Sequence, residues 1–143
     1  MSLKRIFSMF LPLAIAAVLV SGAAAAVSAP GHASILIRHA VHGCHTWSAN
    51  GDAFKANQSI TLRRGSVLSV TNTDVMPHTL ILTSGPSLRI AHPTMGHMMS
   101  WPLKVTLTRP GVYHFTTKAG EDYMPGIKTI GEDNALKLTV IVA

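Results

Sequence analysis

Eight histidines, seven methionines and one cysteine stand among 143 residues, and several of them cluster. His39, His42, Cys44 and His45 share one stretch, and Met95, His97, Met98 and Met99 another. A thiolate and thioethers combined with imidazoles make the donor set that suits copper, above all Cu(I). Zinc also accepts Cys and His. Its structural sites, however, take two or more Cys or paired spacings such as Cys-x-x-Cys, which are missing here. Thiol and imidazole must shed protons to ligate, so affinity is expected to fall below about pH 6. Taken singly, these residues have plainer uses: Cys44 as a small buried hydrophobe, His78 bonding a backbone carbonyl, Glu121 and Asp122 as solvated loop charges.

The elements that must position these groups read as strands. Between Ser34 and His42, Ile35, Ile37, His39 and Val41 alternate with Leu36, Arg38 and Ala40, a period of two. Ser59 to Leu62 and Ser66 to Thr71 flank the turn formers Arg63, Arg64 and Gly65, as a hairpin would. His78 to Thr83 is apolar and β-branched, whereas Ser84 to Pro102 has no clear period and reads as a long excursion. Lys104 to Thr108 and Val112 to Thr117 flank Arg109, Pro110 and Gly111, and Leu136 to Val142 closes the chain in alternation. The expected architecture is all-β, a sandwich of about seven strands. His39 and His42 are expected on the strand surface, His114 packed inside the sandwich, and His32 in a solvated leader. The Met95 to Met99 segment is expected as an apolar flap over the site, with a second Cu(I) site as the alternative, and Trp47 and Trp101 could wall the same pole.

Two segments resemble the cupredoxin family. Asn72-Thr73-Asp74-Val75-Met76-Pro77-His78 is similar to that family's Asn-x-Asp-x-x-Pro-His element, in which the His is a copper ligand. Gly111 to Thr116, followed by Met124-Pro125-Gly126 and a last strand, resembles its penultimate strand, ligand loop and axial Met. The resemblance implies a Greek-key sandwich. The chain departs from the family where the penultimate strand should end in a Cys: Thr116 or Thr117 stands there, with Glu121, Asp122 and Tyr123 in the loop. In the cupredoxin arrangement the end of the first strand lies at the same pole, so Cys44 could supply the sulfur from there. The implied ligands are Cys44, His45, His78 and Met124. Neighbours on a strand point to opposite faces, so Cys44 and His45 can both ligate only if Gly43 lets the chain bulge or turn.

Lys4 and Arg5 precede an apolar run from Ile6 to Val20 and the small residues Ala23 to Ala26, the layout of a secretory signal peptide. Residues 1–26 are expected to be the leader and 27–143 the domain. The apolar run is shorter than the roughly twenty residues a spanning helix needs, so no stable membrane anchor is expected. The formal charge of +6 falls to +4 without Lys4 and Arg5, and no basic run interleaved with aromatics suggests nucleic acid as a partner. An exported chain with one Cys cannot close an internal disulfide. The sequence thus points to a periplasmic or secreted copper protein, not an enzyme, acting in electron transfer or copper handling with a redox or copper-trafficking partner. A metal-free interaction module of the same fold is the alternative. An enzymatic reading would need cleavage after Gly31, making His32 the amino terminus.

Overall fold

A computed structural model of the chain describes residues 28–121 and 124–143; the expected leader, residues 1–26, lies outside them. Nine strands and no helix occur among the described residues. In order they are β1 (His32–Ala40), β2 (Cys44–Ala49), β3 (Asn57–Leu62), β4 (Ser66–Asn72), β5 (His78–Ser84), β6 (Thr94–Met95), β7 (Leu103–Leu107), β8 (Gly111–Ala119) and β9 (Lys137–Val142). They form a four-stranded sheet, β2-β1-β4-β7, and a five-stranded sheet, β3-β9-β8-β5-β6.

The alternation in the sequence is the alternation of burial. Ala33, Ile35 and Ile37 of β1 point inward, and from the other sheet Tyr113, Phe115, Leu138, Val140 and Val142 meet them. Fully burying each such aliphatic or aromatic side chain favours the folded state by about 1.5–3 kcal/mol. Trp47 is fully buried in this core and satisfies its indole by donating from Nε1 to the Ala56 carbonyl at 2.9 Å. It is therefore a core residue and not a wall of the expected site.

Several local expectations shift. The first strand begins at His32, not Ser34, because β1 pairs in parallel with β4 from His32↔Val67 onward. His32 thus belongs to the sheet, its Nε2 lying 2.9 Å from Ser69 Oγ. The long excursion contains β6, whose two residues pair with His78 and Thr79. His114 faces outward with Val112, since Tyr113 and Phe115 take the inner face of β8.

Candidate metal centre

The pole where β1 turns into β2 is shaped by backbone conformation. Gly43 (φ 74°) and then Cys44 (φ 58°) are both left-handed, and the His45 amide donates to the Gly43 carbonyl at 2.6 Å. For a residue with a Cβ this conformation costs about 1–3 kcal/mol and persists only where surroundings enforce it. The enforcing segment is Ile130 to Asn134. The Gly43 amide donates to the Ile130 carbonyl at 3.0 Å, the Asn134 amide to the Gly43 carbonyl at 2.9 Å, and Asn134 Nδ2 to the His45 carbonyl at 2.9 Å. A Cβ on Gly43 would come within 2.3 Å of the Asn134 side chain, so the position needs glycine on two counts. The turn brings Cys44 Sγ, a His45 ring nitrogen and an Asp133 oxygen within 4.8 Å of one another. Asn134→Ala is expected to cost about 1 kcal/mol and to speed alkylation of the buried Cys44 several-fold, as read by thiol-reagent kinetics.

The second wall is the loop between β4 and β5. Asn72 accepts from the Asp74 amide at 3.0 Å and donates from Nδ2 to the carbonyls of Met76 (2.8 Å) and Gly96 (2.9 Å). This turns the Asp74 carboxylate inward, fully buried. Its Oδ2 lies 3.2 Å from His45 Nδ1 and 3.1 Å from His78 Nε2, while Oδ1 lies 3.8 Å from His39 Nδ1. Burial, the largest single influence, raises the Asp74 carboxyl. The hydrogen bonds and positive charge from His45 and His78 together outweigh it and hold the group well below the usual carboxylate range. With N–H on His45 Nδ1 and His78 Nε2, the Thr117 hydroxyl can donate to His78 Nδ1 at 3.0 Å. His45 Nε2 then remains free, 3.8 Å from Asp133 Oδ2.

Sulfur sits beside this cluster. Cys44 Sγ is 3.4 Å from Met76 Sδ and 4.0 Å from Thr129 Oγ1. Burial first, and the Asp133 charge next, push the Cys44 thiol up, against a smaller opposing effect of the Thr129 hydrogen bond. The pair opens into a cleft of about 240 Å³ whose lining includes His39, Met76, Ile127, Thr129 and Asp133.

Of the four residues implied as ligands, Cys44, His45 and His78 are buried at this pole. Cys44 belongs to a triad with His45 and Asp133, His78 to one with His45 and Asp74, and His45 is common to both. Met124 is 42% exposed and does not line the cleft. Thr117, near the end of β8, meets His78 where the resemblance calls for a Cys. Sequence reasoning passed over Met76 and Asp133, and read Asp74 only as part of an element. Met76 had a signal, a thioether two residues before His78. Of the expected flap, Met95 is buried and paired opposite His78 and Met98 is exposed; Trp101, expected as a wall of the pole, is also exposed. His39 is half-buried rather than on the strand surface, and Asp122 lies outside the described residues.

No protein-family model matches the chain, and no curated protein sequence does. Among solved structures, an McoA multicopper oxidase variant from the hyperthermophile Aquifex aeolicus aligns with TM-score 0.50 at 12% identity, covering 82% of this chain and 29% of that one. A second multicopper oxidase aligns with TM-score 0.43 at 17% identity, over 78% of this chain and 41% of that one. Auracyanin B aligns with TM-score 0.38 at 14% identity, over 82% and 92%. The chain thus spans well under half the length of either oxidase. At such identities the likeness concerns fold alone, and with two strand layers and no helix among the described residues the chain is a cupredoxin-like β-sandwich.

Proposed function

We propose that the chain is an exported copper-binding protein that carries one copper ion at this pole, held by Cys44, Met76 and the free nitrogen of His45. The observation that supports this most is the sulfur pair, a thiol and a thioether 3.4 Å apart beside an imidazole. These donors fit copper, Cu(I) in particular. A bound copper would supply a one-electron couple.

The residues themselves favour copper handling over electron transfer. The thiol keeps its proton until an ion displaces it, so loading is coupled to proton release. Two residues of the cleft lining, Asp133 and Thr129, are exposed, which favours exchangeable donors. His78, which the resemblance implies as a ligand, is tied through both ring nitrogens to Asp74 and Thr117. It acts in this reading by holding Asp74, which in turn fixes the N–H on His45 Nδ1. The partner would be a copper-trafficking protein, and the compartment periplasmic or extracellular.

Anaerobic titration with Cu(I) against a competing chelator tests the donors. Met76→Leu is expected to weaken binding by roughly tenfold or more while Met124→Leu leaves it unchanged. Loss in Met124→Leu with binding unchanged in Met76→Leu would replace Met76 by Met124 in the assignment. Electron transfer predicts instead an intense thiolate charge-transfer band with Cu(II). A metal-free module predicts no Cu(I) uptake at all.

A further inference from the structure

Three imidazoles converge on the buried Asp74 carboxylate, away from the sulfur pair. The copper reading takes a ligand nitrogen from only one of these rings, His45, and uses His78 only to hold Asp74. Asp74 and a nitrogen each from His45 and His78 lie within 4.8 Å of one another, and all three residues are buried. Asp74 Oδ2 is 3.1 Å from His78 and 3.2 Å from His45, while the other oxygen, Oδ1, is 3.8 Å from His39, which stands just outside that three-residue cluster. Four ligands at the 2.0–2.1 Å typical of zinc–nitrogen and zinc–oxygen bonds would stand about 3.3 Å apart.

His39 carries the argument further. Its Nε2 lies 3.1 Å from the Lys128 carbonyl, which can only accept, so the ring proton of a neutral His39 is on Nε2. Nδ1 then presents a lone pair. It is buried, has no hydrogen-bond partner among the described residues, and faces an Asp74 oxygen at 3.8 Å. A lone pair turned toward a carboxylate across a gap too wide for a hydrogen bond is the arrangement a cation between them would satisfy.

Two of the three far nitrogens fit the same picture. His39 Nε2 meets the Lys128 carbonyl at 3.1 Å and His78 Nδ1 the Thr117 hydroxyl at 3.0 Å, whereas His45 Nε2 stands 3.8 Å from the Asp133 carboxylate, beyond hydrogen-bond reach. Metal-binding histidines nearly always donate their other N–H to such an acceptor. Moving one proton across the ring of His45 and one across that of His78 would free both inward nitrogens with no net loss of protons.

We propose that His45, His78 and Asp74 form the core of a second, sulfur-free cation site for a divalent ion of the zinc class, on which His39 closes as the fourth ligand. The proposal stands apart from the copper reading. The two compete for His45, whose proton sits on Nδ1 when Nε2 takes copper and on Nε2 when Nδ1 takes the divalent ion, so the two ions are alternatives at that ring.

The test uses Cys44→Ser, which removes the thiol, with Co(II) as a coloured substitute for Zn(II). One Co(II) per chain is expected, with visible bands of tetrahedral geometry, no thiolate charge-transfer band, displacement by Zn(II), and a Zn(II)-dependent rise in melting temperature. His39→Ala in the same background should weaken binding at least tenfold, because loss of a ligand costs no less than loss of its supporting partner. Asp74→Asn provides the second variant, and circular dichroism checks that each folds. No uptake would overturn the site. Uptake that both substitutions leave unchanged would also overturn it, placing the ion on exposed histidines such as His92, His97 or His114. Cu(I) titration of the unsubstituted chain is scored separately, so either assignment can fail while the other stands.

Discussion

Replacing Cys44 with serine is expected to weaken Cu(I) binding by roughly 10³-fold or more, about 4 kcal/mol. Serine keeps the shape of the side chain but offers a hydroxyl that stays protonated at neutral pH and binds soft ions poorly. The thioether of Met76 and one imidazole then remain, too few donors to compete with a chelator. Fold stability should change far less, since serine fills nearly the same space and inherits the same left-handed backbone at φ 58°. Competition titration beside urea unfolding separates the two quantities. Unaltered Cu(I) affinity in a folded Cys44→Ser variant would remove the sulfur pair from the site.

The second large effect falls on stability. Asp74→Ala deletes an acceptor that two buried imidazoles share, and it leaves their N–H groups facing an apolar gap. Two charge-assisted hydrogen bonds lost in a fully buried setting amount to about 3–5 kcal/mol near neutral pH. The sign with pH follows from the depressed carboxyl. In the unfolded chain Asp74 titrates near its ordinary 3.8, and in the folded chain it titrates below that. Its contribution is therefore complete above about pH 4 and declines as pH falls further, so the native and variant unfolding curves should converge in acid. Urea denaturation at pH 7 and pH 3 measures this. A gap as large at pH 3 as at pH 7 would mean that packing, not the ionised carboxylate, holds the cluster.

Strands with one wet and one dry face were legible because their alternation is the imprint of burial. β1, β8 and β9 show this in Ile35 and Ile37, Tyr113 and Phe115, and Leu138 and Val140. β2 was not legible, because all six of its residues are buried and no alternation remains. It is an edge strand, yet its outer side is covered through the bridge of Trp47 to Lys55. β6 is two residues long, too short for any period.

The pole divides in the same way. Gly43 before Cys44-His45 is a local signal of a turn, while His78 came with the Asn72 to His78 element through the resemblance. Asp133 arrives through a loop whose course is set by distant contacts, among them Ile130 pairing with His42. The inward turn of Asp74 depends on the Asn72 amide, and nothing in the residue types between them announces it. Met124 was implied by the resemblance of its segment to a ligand loop, and it stands exposed and off the cleft lining.

That same Asn72 amide has a mechanical consequence. One side chain clasps the carbonyls of Met76 and Gly96, while the amides of Met98 and Met99 hold the carbonyls of Asp74 and Asn72. The exposed Met98 rim and the thioether in the cleft are therefore two arms of one rigid lever. Whatever grasps that rim from outside tugs on the sulfur within.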